Sequence, residues 1–455
     1  MRFINREREL AGLEKEYAGS RFSFVIIYGR RRLGKTRLIQ EFVQDKNALY
    51  FLADTQADLL NRRRLQHLAA EQLGDELLAG IEFPDWDAML RYIVQQFEAR
   101  GRKFVLAIDE FQYLVQTNPA TPSFWQRFID EHLGRTNCML IFCGSIVSLM
   151  HKHTLSYSSP LYGRRTAQIK LNALDFRSFQ AFFPDAPRTT QVELYALLSG
   201  VPKYLELFEC RQSVLAGIRE NFLDPSSFFY QEPRFLLNEE FSATATYFSI
   251  LRTMAAGEHK LGKIAARIGL PGNSVTSFMN KLRDLEIVQR EVPVFEQNPE
   301  KSKKGLYFFK DHFLNFWFTF IFPNMSYLEM GNTDYVMHRI ERSFPEYCSL
   351  VYEKVCREQL AATPPFPMSA IGRHWDGRME IDIVVLGEHD VLLAGCKWSN
   401  SMVGVNVFRD LRTKADMLDS GLLAGRTIRY ALFSKSGFTN DMIQTAEKQD
   451  IALFT

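Results

Sequence analysis

The segment GRRRLGKT, residues 29–36, has the residue types and spacing of a phosphate-binding loop. Its glycines allow backbone N–H groups to wrap phosphate oxygens, Lys35 can reach the β- and γ-phosphates, and the Thr36 hydroxyl can ligate magnesium. An apolar run precedes the loop and a helical pattern follows it, so a helix N-terminus adds its dipole to the same site. This context favours a nucleotide site over a chance glycine-rich turn. The predicted nucleotide-binding residues here are Gly29, Arg30, Arg31, Arg32, Leu33, Gly34, Lys35, Thr36 and Arg37.

Two adjacent acids end a second apolar run. Phe104 to Ile108 are all apolar, and Asp109 and Glu110 follow them directly. At the tip of a buried strand, Asp109 would hold magnesium and Glu110 would polarise an attacking water. A solvated acidic turn would have the same residues. The distance from the phosphate-binding loop favours the pair as the second half of the site.

A third apolar run, residues 138–143, ends in Gly144 and Ser145. Ser145 could sense the γ-phosphate, or the two residues could simply form a turn. Further on, Arg164 and Arg165 stand in PLYGRRT. Either could reach a neighbouring subunit's nucleotide as an arginine finger, or both could pair with surface acids. The predicted catalytic residues are Lys35, Glu110, Arg164 and Arg165.

Composition restricts the class of protein. A chain of 455 residues exceeds one ordinary domain, and 46% hydrophobic with 24% charged residues is typical of globular proteins. The net charge of +2 means that any nucleic-acid affinity must come from a local basic patch. The longest apolar run, 313–322, is too short to span a membrane, and the N-terminus has no apolar signal segment. Six cysteines without a CxxC pair indicate neither a zinc site nor a disulfide framework. We expect a soluble, cytoplasmic protein with no membrane partner.

Residues 244–293 contain three successive helical patterns. Two short strand patterns then flank the polar, lysine-bearing loop FEQNPEKSKKG, so the order predicts a winged helix–turn–helix. Lysines on a wing suit phosphate contacts, which carry no sequence information by themselves. The candidate DNA-facing residues are Asn273, Ser274, Ser277, Asn280 and Lys281 on the recognition helix and Lys301, Lys303 and Lys304 on the wing.

From about residue 330 the pattern changes to α-β-β-α-β. An amphipathic helix over 344–362 contains Glu353, and a strand over 379–386 contains Asp382. A second strand, VLLAGCKWS, ends at Lys397 and Trp398. A helix over 405–418 and a strand with a turn over 426–437 complete the order.

The motifs FINREREL, GRRRLGKT, LAIDEFQYL, CGSIVSLM, PLYGRRT and SGVPKYLELF together resemble the archaeal-type ATPases, a STAND-like branch of the AAA+ superfamily. They occur in the expected order over the first 240 or so residues. The resemblance implies a three-layer α/β core and a helical lid, with Pro202 closing over the nucleotide. A helix-breaking turn after Gly200 would explain the same residues. Winged helices of this class also pack intramolecularly as part of a nucleotide-dependent switch, which leaves DNA binding open.

The segments IGRHWDGRMEIDIVV and GCKWSN resemble the DUF234 domain, which is similar to PD-(D/E)xK nucleases. The resemblance implies Asp382 as the first metal-binding acid, Lys397 as the lysine and Glu353 as an accessory acid. The second acid is missing, because Gly395 stands where the family usually has glutamate. Residues two apart on a strand share a face, so Glu380 could substitute. A degenerate domain that binds DNA or a partner, a nuclease rescued by Glu380 and a structural or oligomerising module all remain open.

The expected fold is therefore α/β, with four domains. They are a three-layer P-loop ATPase core over 1–170, a helical lid over 171–243, a winged helix–turn–helix over 244–325 and a nuclease-like domain over 326–455. The expected cofactors are ATP and Mg²⁺, with Thr36 and Asp109 as metal ligands. Duplex DNA and further copies of the chain are candidate partners. A magnesium-dependent ATPase coupled to DNA-associated activity is the leading hypothesis, and a nucleotide-dependent protein-interaction switch or an active metal-dependent nuclease is the alternative.

Overall fold

The computed structural model describes residues 4–210 and 212–455. The chain forms two compact units, which we call the N-terminal unit (through Ala173, with Val201–Lys203) and the C-terminal unit (Leu174–Gly200 with Tyr204–Thr455). The boundary at Ala173 lies close to the predicted end of the core at residue 170. Division of the remainder into lid, winged helix and nuclease-like domain stays a prediction.

A five-stranded parallel sheet forms the centre of the N-terminal unit, in the order β2-β3-β4-β1-β5. Every residue of β3 and β4 is buried, which explains why both read as continuous apolar runs rather than alternating patterns. The strands are β1 Ser23–Tyr28, β2 Asn47–Leu52, β3 Phe104–Asp109, β4 Cys138–Gly144 and β5 Ala167–Lys170.

Helices cover this sheet and bury its aromatic side chains. Phe111 stacks on Phe142 with ring centroids 4.0 Å apart, and Trp125 meets the same ring edge-on at 5.0 Å. The helices of the unit are α1 Glu7–Ala18, α2 Lys35–Val43, α3 Asp58–Leu73, α4 Glu76–Gly80, α5 Trp86–Glu98, α6 Phe111–Thr117, α7 Thr121–Glu131 and α8 Val147–Met150. An α/β core with a parallel central sheet confirms the expected fold class.

The first part of the C-terminal unit is helical, apart from a two-stranded antiparallel sheet made of β6 Val288–Glu291 and β7 Leu306–Phe309. Three helices precede that sheet directly, as predicted for residues 244–293. The helices up to β6 are α9 Phe176–Gln180, α10 Arg188–Leu198, α11 Pro202–Leu207, α12 Val214–Phe222, α13 Phe228–Glu240, α14 Thr244–Ala255, α15 Leu261–Ile268 and α16 Gly272–Asp284. After β7 follow α17 His312–Phe316, α18 Met325–Glu329 and the long α19 Thr333–Ala362.

A second five-stranded sheet ends the chain, in the order β12-β11-β10-β9-β8. It is mixed, because β8, β9 and β10 pair antiparallel while β10, β11 and β12 pair parallel. Its elements are β8 Ala370–Trp375, β9 Glu380–Leu386, β10 Asp390–Lys397, α20 Val405–Asp416, α21 Ser420–Leu423, β11 Thr427–Ser434, α22 Asn440–Gln449 and β12 Ile451–Phe454.

The predicted strands and helices of this region are confirmed, but the α-β-β-α-β order is incomplete. The structure adds β8, α22 and β12, and it extends the predicted helix 344–362 back to Thr333. The helix includes Pro345 in its interior, and the turns before it contribute the buried residues Val336, Met337 and Ile340. Within the described ranges, no helix combines the length and apolarity that crossing a bilayer requires.

Gly200 allows two loops of the C-terminal unit to approach each other. The Leu174 N–H donates to the Gly200 carbonyl at 2.7 Å, and a Cβ on Gly200 would lie 1.8 Å from the Leu174 carbonyl oxygen. We therefore expect Gly200→Ala to destabilise the chain by about 1–3 kcal/mol or more, measured as a lower urea midpoint. Gly262→Ala is the matched control, because nothing lies within 4 Å of a Cβ at that position of α15. The control should be neutral or stabilising by up to about 1 kcal/mol. An equal loss in both variants would contradict the steric explanation.

Candidate nucleotide-binding site

The phosphate-binding loop joins the end of β1 to the start of α2. Gly34 is the N-cap residue of α2 with a left-handed backbone (φ 86°), and no side chain caps the helix. Its first N–H groups therefore point into the loop, where an anion could accept them. The loop is also closely packed, since a Cβ on Gly29 would lie 2.5 Å from the Leu171 carbonyl oxygen.

Lys35 and Thr36 face the concave side of this loop and the neighbouring strand. Buried Lys35 donates from Nζ to the carbonyls of Gly29 at 2.8 Å and Arg30 at 2.9 Å. The Thr36 hydroxyl donates to Oδ2 of Asp109 at 2.6 Å. The two halves of the predicted site, 73 residues apart in sequence, thus meet directly.

The Asp109 carboxylate is completely buried and has three hydrogen-bond donors. Besides Thr36, the Tyr50 hydroxyl donates to Oδ2 at 2.9 Å, and the Glu110 backbone N–H donates to Oδ1 at 2.9 Å. Burial, followed by the Asp109 charge, raises the pKa of Tyr50, which keeps the phenol protonated as a donor. A hydroxyl beside a carboxylate is the oxygen donor set that Mg²⁺ prefers, so these residues fit a magnesium–nucleotide complex.

Two side chains hold the carboxylate of Glu110. The Ser145 hydroxyl donates to Oε2 at 2.6 Å, and the Gln112 amide donates to the same oxygen. Gln112 also donates to Ser145 at 3.3 Å. Glu110 has φ of 54°, an unfavourable region for a residue with a side chain, at the junction of β3 and α6. Such strain is characteristic of functional positions.

The other residues predicted to contact the nucleotide differ in their exposure and in their hydrogen-bond partners. Arg30 and Leu33 are buried, Arg31 donates to the Tyr113 hydroxyl, and Arg32 is exposed. Arg37 lies one turn into α2 and pairs with Glu41 at 3.2 Å. Pro202 starts α11, and the N–H of the next residue, Lys203, donates to the Arg32 carbonyl at 3.4 Å.

The two candidate arginine fingers have different surroundings. Arg164 makes two hydrogen bonds to the Asp130 carboxylate, at 2.8 and 2.6 Å, and a third to the Pro160 carbonyl at 2.9 Å. The Asp130 bonds raise the pKa of Arg164. Arg165 instead lies over the ring of Tyr162, 5.6 Å from its centroid. The surface-pairing alternative therefore describes Arg164, and Arg165 is the better candidate for a role in trans.

Comparison with known proteins identifies the family. Residues 3–208 match a family model described as an ATPase domain predominantly from Archaea, and residues 317–409 match DUF234, described as archaeal and bacterial proteins of unknown function. An uncharacterized protein of Methanocaldococcus jannaschii is 33% identical over 463 residues, which cover 99% of this chain and 98% of the relative. The chain belongs to the archaeal-type ATPases that carry a C-terminal DUF234 domain. An uncharacterized ATP-binding protein of the same organism is 46% identical over 44 residues, which are 10% of this chain and 75% of that protein.

Solved structures resemble this archaeal-type ATPase only distantly. The Walker-type ATPase PABY2304 of Pyrococcus abyssi has a TM-score of 0.49 at 20% identity and covers 70% of this chain and 96% of its own. The ORC2 protein of Aeropyrum pernix, solved as ADPNP–ADP complexes, has a TM-score of 0.47 at 14% identity and covers 75% and 96%. At these TM-scores neither neighbour bears on function.

In the C-terminal unit of this ATPase, three predicted acids line one cavity. Glu353, Glu380 and Asp382 border a cavity of about 920 Å³, and Glu380 and Asp382 face it together as the strand period predicts. We call these three residues the acidic cluster. The Asp382 Oδ2 accepts from the Cys396 N–H at 2.8 Å. Lys397 ends β10 in an exposed position, where its charge lowers the pKa of Asp382, although burial raises that pKa overall.

The acidic cluster does not fit a nuclease-type metal ion. Among the described residues, no three or more His, Cys, Asp or Glu side chains are grouped so that they could hold a metal. Ala394 pairs with Ile383 in the antiparallel register, so Gly395 follows beside Asp382 without contributing a ligand. Space is not the obstacle, because a Cβ on Gly395 would meet only Leu432, at an ordinary 3.4 Å. Glu380 is bonded to Arg373 instead.

Several contributors to these sites were not predicted from sequence. Buried Arg6 donates to the carbonyls of Leu33 at 3.2 Å and Asn172 at 2.9 Å, and so supports the phosphate-binding loop. Tyr50 and Gln112 hold the acids of the nucleotide site. Strand β8 was not predicted either, and the one local signal for it is Asp376–Gly377, a turn dipeptide that precedes β9.

Glu353 should make stability depend on pH. Burial, and next the charge of Asp382, raises the pKa of Glu353 to about 7 from its ordinary 4.5. The folded chain thus binds this proton more tightly than the unfolded chain, and the contribution to stability is lost as pH rises from about 4.5 to about 7. We expect Glu353→Gln to flatten the pH dependence, so that its stability advantage over wild type at pH 8, on the order of 1–3 kcal/mol, disappears at pH 5. Urea unfolding at both pH values measures it, and a constant difference would contradict the assignment.

Proposed function

We propose that this chain is a magnesium-dependent ATP hydrolase whose nucleotide state acts on a winged helix and a nuclease-like C-terminal domain. The observation that supports it best is the meeting of Lys35, Thr36, Asp109 and Glu110 at the carboxyl ends of β1 and β3. Membership in the archaeal-type ATPases supports the same activity at the level of the family.

Each residue of the site has a proposed task. The N–H groups at the start of α2, which has no side-chain cap, bind the phosphates, and Lys35 exchanges its loop carbonyls for β- and γ-phosphate oxygens. Thr36 and Asp109 hold magnesium, which supplies Lewis-acid stabilisation of the phosphates when bound. Glu110 orients the attacking water and takes up its proton. Ser145 and Gln112 fix the Glu110 carboxylate before the nucleotide arrives.

ATP turnover by purified protein with magnesium tests the hydrolase. Lys35→Ala should lower turnover about 100-fold or more and weaken nucleotide binding, because it removes the cation of the loop. Glu110→Gln should lower turnover about 100-fold or more while leaving nucleotide affinity within a few-fold of wild type, since only water activation is lost. Lys15→Ala, an exposed position on α1, is the matched control and should be unchanged.

Full turnover in Lys35→Ala would refute the site. If Glu110→Gln lost binding as well as turnover, the carboxylate would be needed for the fold of the site rather than for activating water. A concentration-dependent turnover that Arg165→Ala abolishes would support an arginine finger acting between copies of the chain.

Coupling to DNA is the second part of the proposal. Helices α14 to α16 followed by β6 and β7 have the order of a winged helix, with α16 as recognition helix. The residues predicted to face DNA are exposed in the structure, and they are Asn273, Ser274, Ser277, Asn280, Lys281, Lys301, Lys303 and Lys304. Lys304 is partly occupied by an ion pair with Glu296 at 2.6 Å.

A nucleotide-dependent protein-interaction switch is the second candidate function. It is favoured by contacts that pack the two-stranded sheet within the chain: the Val294 N–H donates to the Arg373 carbonyl at 2.9 Å, and Glu291 pairs with Arg357 at 2.8 Å. A sheet held in this way can transmit a movement without touching DNA. An active nuclease is not favoured, because the acidic cluster does not fit a metal.

Charge reversal on the wing distinguishes the two functions. The double variant Lys301→Glu, Lys303→Glu should weaken retention of duplex DNA roughly tenfold at low salt and reduce its salt dependence, since two phosphate contacts are lost. The control Lys15→Glu, Lys448→Glu makes the same change of net charge at exposed positions elsewhere and should have little effect. Equal weakening in both variants would indicate a non-specific charge effect, and no weakening would exclude the wing as a DNA contact.

A further inference from the structure

Independently of ATP hydrolysis, we propose that Arg373 is a built-in counter-cation of the acidic cluster, and that it joins the sheet β6–β7 to the C-terminal sheet. The positive charge of the guanidinium then compensates the carboxylates, as a divalent ion does in a related metal site. Arg373 and a divalent ion therefore compete for the same carboxylates. The DUF234 domain of this chain then serves as a structural connection between the β6–β7 sheet and the C-terminal sheet, which we call the joint.

The contacts of Arg373 carry the argument. From β8, its guanidinium donates to the Glu380 carboxylate on β9 and lies 3.7 Å from the Glu291 carboxylate on β6. It also lies over the ring of Phe308 on β7, 5.1 Å from the centroid. The Arg373 side chain is only 18% exposed and Glu291 15%, so their attraction acts in a partly desolvated setting, whereas Glu380 is half-exposed.

A second arginine completes the joint. Arg357 on α19 donates to Glu291 at 2.8 Å, and both side chains are less than one-fifth exposed. Backbone contacts reinforce it, since the Val294 N–H donates to the Arg373 carbonyl and Val294 packs against Gly372, 3.3 Å from where a Cβ would be. The two arginines thus link β6–β7, α19, β8 and β9 in one network.

The charge balance explains why a cation is needed here. Glu353, Glu380 and Asp382 line the same cavity, and Glu291 lines it as well. Arg373 and Arg357 both lower the pKa of Glu353, which opposes the effect of burial and of the other acids. Without Arg373 these carboxylates would lose one of the two arginine charges that compensate them and would repel one another more strongly. Because Oε1 of Glu380 accepts from Arg373, a metal ion that recruited Glu380 would compete with the guanidinium for it, and loss of that bond would weaken the hold on β6–β7.

Thermal unfolding and limited trypsin digestion of the full chain, each with and without millimolar MnCl₂, test the proposal. Wild type gives the baseline for Mn²⁺, because its nucleotide site is itself a proposed divalent-ion site and a response there should be the same in every variant. Arg373→Gln should lower the Tm by roughly 5–10 °C and speed cleavage in the β6–β7 loop about fivefold or more, located by mass spectrometry. Millimolar Mn²⁺ should reverse at least half of both changes, and adding Asp382→Asn should abolish that reversal. A residue that acts only by packing would not respond to a metal.

Two further variants keep the test decisive. Arg378→Gln is the matched control, because Arg378 also lines the cavity but pairs with Asp376 in the exposed β8–β9 turn, and it should behave as wild type. Glu380→Gln removes the main partner of Arg373 from a half-exposed position, so it should loosen the β6–β7 loop even if Arg373→Gln does not fold. In Glu380→Gln, Mn²⁺ should give no protection, because one ligand is gone.

Three results would overturn the proposal. Wild-type stability and protease resistance in Arg373→Gln would show that there is no joint. Destabilisation without a response to Mn²⁺ would make Arg373 an ordinary ion-pair partner. Stabilisation of wild type by Mn²⁺ that Asp382→Asn removes would show that arginine and metal do not compete.

Discussion

A completely buried carboxylate imposes the strongest constraint on this chain. A buried carboxylate is costly unless donors satisfy its oxygens, and Asp109 obtains them from the Thr36 hydroxyl, the Tyr50 hydroxyl and the Glu110 N–H. These donors belong to α2, β2 and the end of β3, so one charge fixes three elements at the carboxyl edge of the sheet. The geometry of the phosphate-binding loop depends on this, because Thr36 is the first residue after Lys35.

The nucleotide site could be predicted from sequence because its signals are local. A strand, a glycine-containing loop and a helix follow one another within residues 23–43, and Asp109 ends a strand that is apolar throughout. Tyr50, Gln112 and Arg6 could not be found in this way. Each acts through a partner on another element, and neither a tyrosine in a strand nor an arginine at a helix start has a pattern that reveals such a partner.

In the C-terminal domain the strands could be predicted from sequence, but the cation that pairs with the acids could not. Its strands β9 and β10 were predictable from their apolar residues. Side chains two apart on a strand share a face, and this rule correctly placed Glu380 and Asp382 at one cavity. The alternation of side chains along a strand cannot predict which cation pairs with these two carboxylates. That depends on β8, whose residues are mostly half-buried and have no clear alternation, and on pairing with Glu291, 82 positions earlier than Arg373. The prediction also began the long helix α19 too late, at residue 344, whereas the structure begins it at Thr333 and buries Val336, Met337 and Ile340 on its first turns.

The two acidic sites of the chain therefore represent opposite solutions to one electrostatic problem. At Asp109 the carboxylate accepts from neutral donors, and in the proposed function a divalent cation adds the compensating charge. At the acidic cluster the compensating charge is covalently part of the chain, and it cannot leave without separating the elements that it joins. Gly395 offers no ligand to a metal but takes nothing from an arginine, which needs fewer and less regularly arranged oxygens. The contacts of Glu380 with Arg373 and of Glu291 with Arg357 therefore need no second acid on β10, and they connect β6 to β8, β9 and α19 without a metal ion.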